Sequence, residues 1–283
     1  MTIQSLKIQR EKLREPIFIV ACGRSGTTLL INILGKHKNI YSIPWETFFF
    51  RDIKPKVYTL CNKFEREKDF DNLTLSILTI FLYYPEAKII TIFRDPRATY
   101  CSWKYSDFFK NSFVRDILVF ILVWITAHKT SKKLLKRIPT QFYSLRYEAL
   151  INRPEIEIKN LCAFLDEEFD EAMSDTSVIH SSFKHGISYE GFSKESMGRW
   201  KKLLNEGEIL LIELLTKKHR NELNYPDSEV KITLLNIVKI FFVVIKAFFQ
   251  AVFIVLNKLI FKYRFYIDQT IYEFQGLLKR FNS

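Results

Sequence analysis

The chain has 283 residues, 48% of them hydrophobic and 26% charged, which excludes a disordered chain and is enough for one sizeable core with an appendage. A formal net charge of +12 favours an anionic partner, whether nucleotide, anionic membrane surface or nucleic acid, without choosing among them. Cys22, Cys61, Cys101 and Cys162 are far apart and form no C-x-x-C pair, so they read as buried reduced thiols.

The N-terminal stretch MTIQSLKIQREKLREP is charged and lacks an apolar h-region, so the expectation is a cytosol-facing catalytic part, at most peripheral on the inner membrane face. After Pro16 the apolar run IFIVA reads as a buried strand. It leads into the turn CGRSG and then a helix from Thr27, whose apolar positions Leu29, Leu30, Ile33 and Leu34 follow the helical period and stop near Gly35. A helical segment over Leu73–Tyr84 precedes a second buried strand, AKIITIFR, Ala87–Arg94. A long helix over Phe113–Leu135 precedes a third, TQFYSLRY, Thr140–Tyr147. Helical patterns recur in RPEIEIKNLCAFLD and LNEGEILLIELLTKKH. Strands alternating with helices predict an α/β fold, a three-layer, P-loop-like parallel sheet flanked by helices. Composition shifts at Tyr225-Pro226-Asp227, which divides the chain into a domain over 1–228 and a hydrophobic helical extension over 229–283.

The first turn has the parts of a phosphate cradle. A helix that opens at Thr27 presents unpaired backbone N–H groups, and its dipole favours an anion there. Gly26 allows close approach, Ser25, Thr27 and Thr28 bring hydroxyls, and Arg24 brings a fork of donors matched to oxyanions. The lysine of a nucleotide-triphosphate P-loop is missing. A second cluster, TIFRDPRATYCSWK, follows the second strand at its carboxyl end, where ligands of open α/β sheets bind. If Asp95-Pro96 opens a helix, Ser102 lies about two turns from Arg94 and folds back toward the same ligand; Asp95 and Arg97 can equally well cap and pair around the helix start. His37, His128, His180, His185 and His219 are scattered, and no metal-ligand cluster is expected.

In residues 229–283 basic residues outnumber acidic ones eight to three, and nine phenylalanines fall here. The longest uncharged piece, Ala247–Asn257, has 11 residues, too short to span a bilayer as a helix. On a helical wheel Lys239, Lys246, Gln250 and Asn257 form a narrow polar stripe in an apolar surround. Three placements stand open: attachment in an anionic membrane interface with snorkelling lysines, a tilted or re-entrant membrane helix, and packing on the core or on a second subunit.

In order, GRSGTT, RDPRATYCS, LRYEAL and MGRWKK resemble the landmarks of the sulfotransferase family over roughly Pro16–Lys202, closest to its Arg-Ser-Gly-Thr-Thr branch, which includes tyrosylprotein sulfotransferases and many bacterial enzymes. The resemblance implies transfer of a sulfuryl group from 3′-phosphoadenosine 5′-phosphosulfate (PAPS) to an acceptor hydroxyl, carbohydrate, lipid-linked or phenolic, with no metal. It implies that Arg24, Ser25, Gly26, Thr27 and Thr28 grip the 5′-phosphosulfate and that Arg24 offsets charge building on the leaving nucleotide. Arg94 and Ser102 would grip the 3′-phosphate, and Tyr147 and Arg199 would add nucleotide contacts. The branch places a catalytic glutamate after a short second strand, where Glu46 follows in PWETFFF; its aromatic neighbours would raise the carboxyl pKa by desolvation. The alternative base is His128. FKHGISYEGFSKESMGRWKK resembles the family's mobile segment over the nucleotide, with Lys184 and Lys194 as further contacts or as a solvated run. Two other functions stand beside this one: a P-loop phosphotransferase using ATP or GTP, and a non-catalytic protein binding a membrane surface, a nucleotide or nucleic acid, although no nucleic-acid motif is present.

Overall fold

The structure is a computed structural model and describes residues 16–43, 80–81, 84–106, 117–175, 177–178, 189–190, 194–246, 248–249, 252 and 256. Three parallel strands, β1 (Ile17–Ile19), β2 (Lys88–Phe93) and β3 (Phe142–Arg146), lie side by side in that order, with Ile17 opposite Lys88 and Ile89 opposite Phe142. Every residue of β2 is buried, as a continuous Ile-rich run in a sheet covered on both faces should be.

The helices divide between those two faces. Ile90 and Ile92 pack with α1 (Thr27–Leu34), α4 (Tyr147–Asn152) and α5 (Pro154–Leu165) in one apolar cluster. On the other side Phe93 meets the Trp124 ring of α3 (Ile117–Arg137) edge-on, with 6.4 Å between centroids. There α2 (Pro96–Lys104), α3, α7 (Trp200–Leu203) and α8 (Glu206–Glu222) share a second cluster built on Trp103, Phe120, Trp124, Trp200 and Ile212. Short elements complete the chain: a 3₁₀ turn at Glu171–Ser174, an antiparallel pair β4 (Ser177–Val178) and β5 (Tyr189–Glu190), and α6 (Glu195–Gly198). The expected parallel α/β sandwich is therefore present.

The differences from expectation lie at the ends of elements. β1 stops at Ile19: Val20 N–H still reaches Ile90 O at 2.9 Å, and the chain then turns into the loop whose Gly23 carbonyl accepts from Trp103. β3 begins later than Thr140 because Gln141 closes a turn, its N–H donating to Ile138 O and its amide to Pro85 O and Ala87 O. Tyr147 opens α4 instead of ending the strand. Helix α8 starts with a capping box, Asn205 and Glu208 satisfying each other's backbone N–H groups, which contributes about 1 kcal/mol.

Beyond α8 a further helix runs through residues 234–246. It seats on the start of α8 so closely that a Cβ on Gly207 would lie 2.8 Å from Lys239 Cβ and 3.0 Å from its carbonyl carbon. Ile240 and Val243 pack against the second cluster, and Lys239 Nζ donates to Glu206 at 2.6 Å. The lysine expected to turn toward lipid head groups is thus engaged by the protein body, because the helix lays that edge along α8. Among the described residues no helix is long and apolar enough to cross a membrane.

Candidate functional site

The turn between β1 and α1 holds a left-handed backbone at two successive places. Arg24 has φ 69° and Gly26 has φ 108°. Gly26 is required twice over: its φ suits only glycine, and a Cβ there would meet the Tyr147 ring at 2.5 Å. The turn is clamped from α2 by Trp103, whose Nε1 donates to Gly23 O at 2.6 Å. Gly26 occupies the N-cap of α1, with no side chain capping the helix and no acidic residue in its first turn. Ser25 is fully buried, and its Oγ has no hydrogen-bond partner among the described residues. Thr27 is half-buried and Thr28 exposed at the helix mouth. The backbone N–H groups of this helix N-terminus and the Ser25 hydroxyl are donors of the kind that favour negative charge.

The second cluster arrives at the same place. Asp95 caps α2, accepting from Arg97 N–H at 2.8 Å, and Pro96 takes the first helical position. The helix carries Ser102 back to the turn, where its Oγ accepts from Arg24 Nε at 3.1 Å. Arg94 reaches Arg24 O at 3.3 Å and Ser196 O at 2.6 Å, and its guanidinium lies 4.5 Å from the centre of the Tyr147 ring. The Tyr147 hydroxyl pairs with Ser196 Oγ at 2.8 Å. So the Arg24–Thr28 turn, Arg94, Ser102 and Tyr147 are neighbours at the start of α1. Arg199 lies close by: its charge, with those of Arg94 and Lys104, bears on the Cys101 thiol, which burial pushes up to about 11.

Burial lowers the Arg24 pKa, and the Arg94 charge lowers it further. Neither guanidinium meets a carboxylate among the described residues, and Arg94 Nε has no hydrogen-bond partner there. Two adjacent cations of this kind, one of them with an unused N–H, are donors matched in shape and sign to oxyanions.

Arg97 behaves differently from its neighbour three residues back. It is 2% exposed, donates to both Asp95 carboxylate oxygens, to Glu213 Oε1 and to Pro226 O, and stacks 4.2 Å from the centre of the Trp200 ring. Of the two roles open to Asp95 and Arg97, capping and pairing is the one seen. Behind them Glu148 Oε1 accepts from Asp95 N–H at 2.9 Å and Oε2 from the Tyr225 hydroxyl at 2.9 Å; burial raises the Glu148 pKa.

His128 lies away from the cleft. Its Nδ1 faces His219 Nδ1 at 3.0 Å and Glu222 Oε2 at 3.7 Å, and Glu222 is also held by Lys132 at 2.9 Å. The two histidines, remote in sequence, are neighbours here, with Glu222 close enough that the ligand atoms lie within 4.8 Å of one another, which corrects the reading of the histidines as scattered. Burial first, then the His219 charge, lowers the His128 pKa from 6.5 to about 4. The cavity beside it, about 340 Å³, is lined by Phe93, Ser131, Lys132 and Ser144 among others, and by no residue of the arginine cleft. Glu46 and Lys184 fall outside the described residues, and Lys194 is exposed. The residues that sequence reasoning missed are Ser196 and the two indoles: Trp103 N–H holds Gly23 O, and Trp124 N–H holds Arg94 O at 3.1 Å. Trp103 was within reach, since it follows Ser102 directly in the second motif.

No curated protein matches the chain. Solved structures similar to it include a sulfotransferase domain from the curacin biosynthetic pathway, with TM-score 0.48 and 18% identity over 76% of this chain and 99% of that one. A mouse sulfotransferase complexed with PAP gives TM-score 0.47 and 19% identity over 73% and 85%. A sulfotransferase from Alicyclobacillus acidocaldarius gives 0.42 and 15% over 72% and 96%. A family profile described as the sulfotransferase family matches residues 16–74 and 66–171, more than half of the chain and including the turn, Arg94, Ser102 and Tyr147, and the protein is therefore a member of the sulfotransferase family.

Proposed function

We propose that this protein transfers a sulfuryl group from PAPS to an acceptor hydroxyl. The observation that carries the reading is the pair Arg24 and Arg94, brought together at an uncapped helix N-terminus with no carboxylate partner among the described residues. A nucleotide with phosphate groups at both ends of its ribose satisfies this charge better than a single phosphate does. In the proposed pose the α1 N–H groups, Thr27, Thr28 and Arg24 take the 5′-phosphosulfate. Arg94, Ser102 and Arg199 take the 3′-phosphate, with Tyr147 beneath the Arg94 guanidinium.

Sulfuryl transfer passes through a loose in-line transition state with little covalent work for the protein, so positioning and charge neutralisation on the leaving phosphate supply most of the rate. Arg24 supplies that charge from a half-buried position held by Ser102. The acceptor proton is assigned to Glu46 through the family resemblance. His128 is a poorer base, since it lines a different cavity and faces His219.

Labelled PAPS incubated with sugar, phenol and lipid-linked alcohols should yield labelled sulfate ester and PAP, and Glu46→Gln should stop transfer while leaving PAP binding intact. Calorimetry that found ATP with Mg²⁺ bound more tightly than PAP would favour the phosphotransferase instead.

A further inference from the structure

The helix of residues 234–246 presents an apolar face that the protein body does not cover. Leu234, Leu235, Phe241, Phe242, Phe248 and Phe249 are each between 60% and 80% exposed. Among the described residues one narrow side is held: Lys239 pairs with Glu206, and Ile240 and Val243 pack against the second cluster. The tight seat on Gly207 shows that this docking is built in, because any side chain at that position would push the helix away. A row of exposed phenylalanines on a firmly held helix is an interaction surface.

We propose that this helix lies in the interfacial plane of an anionic lipid bilayer, with its phenylalanines and leucines among the acyl chains. A membrane span is incompatible with the docking: Lys239, Ile240 and Val243 are engaged by the protein body, and the uncharged run after Lys246 has 11 residues. The sign of the partner follows from charge. The chain carries +12, and residues 229–283 carry eight basic against three acidic residues. Two such faces repel each other, which disfavours a second copy, whereas an anionic leaflet attracts both.

The test is flotation of the full chain with phosphatidylcholine vesicles, with and without phosphatidylglycerol. The wild type should float with the anionic vesicles and release at high salt. Phe241→Ser with Phe242→Ser should weaken lipid partition by about tenfold or more. Leu122→Ser, an equally exposed leucine on α3, should leave it unchanged. PAP binding, measured by thermal shift, should be the same in all three, so the membrane reading and the donor reading fail separately. The proposal is overturned if the wild type stays in solution with anionic vesicles, if the double variant floats as well as the wild type, or if light scattering shows a dimer that the double variant dissociates.

Discussion

Replacing Arg94 by alanine removes one of two adjacent cations and separates ligand binding from folding. Arg94 Nε has no partner among the described residues and its bond to Arg24 O is long at 3.3 Å, so two N–H groups can turn to a phosphate, while the 2.6 Å bond to Ser196 O stays. Each charge-assisted hydrogen bond is worth roughly 1.5–3 kcal/mol, and some of that is offset by giving up the weak Arg24 contact. A net loss of about 3 kcal/mol corresponds to roughly a hundredfold weaker PAP binding. Adenosine 5′-phosphate, which lacks the 3′ group, should bind the variant within about threefold of the wild type, and Arg94→Lys should recover about one decade for PAP. Isothermal calorimetry with both ligands reads the difference. Folding should be little affected, since removing Arg94 also relieves its repulsion of Arg24. PAP affinity within threefold of wild type in a folded Arg94→Ala protein would refute the two-phosphate cleft.

Arg97→Met should instead destabilise the fold by about 3–5 kcal/mol, seen as a lower urea midpoint, because it leaves Asp95 and Glu213 buried without their cation; a change under about 1 kcal/mol would contradict this. His128 sets a pH dependence. Its folded pKa of about 4 lies below the ordinary 6.5, so the unfolded chain takes up the proton first as pH falls. Stability from the neutral His128 is complete above pH 6.5 and is lost as pH drops through 4, by up to about 3 kcal/mol. The difference in melting temperature between wild type and His128→Phe, followed from pH 8 to pH 4, should therefore narrow toward acid; a constant difference would remove His128 as the cause.

The site was legible where chemistry and local sequence coincide. The run into Gly26, the helix opening at Thr27, and Arg94 at a strand's carboxyl end follow from apolar period, glycine placement and strand-end logic, and the structure brings them together. What could not be read depends on contacts between distant residues. Ser196 lies 102 residues from the Arg94 it receives, Glu213 lies 116 from Arg97, and His219 lies 91 from His128. No period or motif announces such pairs, since tertiary packing alone decides them. The wheel of the C-terminal helix could not say which side would meet α8, where Lys239 now pairs with Glu206.

The contrast between Arg94 and Arg97 bears on how any saturation mutagenesis of this gene should be interpreted. An activity screen would record both positions as intolerant and suggest two equivalent participants in turnover. Under the proposed function their failures would have unrelated origins: one would give a well-made protein that has lost its grip on a ligand, the other a chain that does not persist. Because Arg97 also holds the Pro226 carbonyl at the root of the C-terminal helix, its loss would slacken the tether as well, so abundance has to be scored alongside turnover at every codon of this motif.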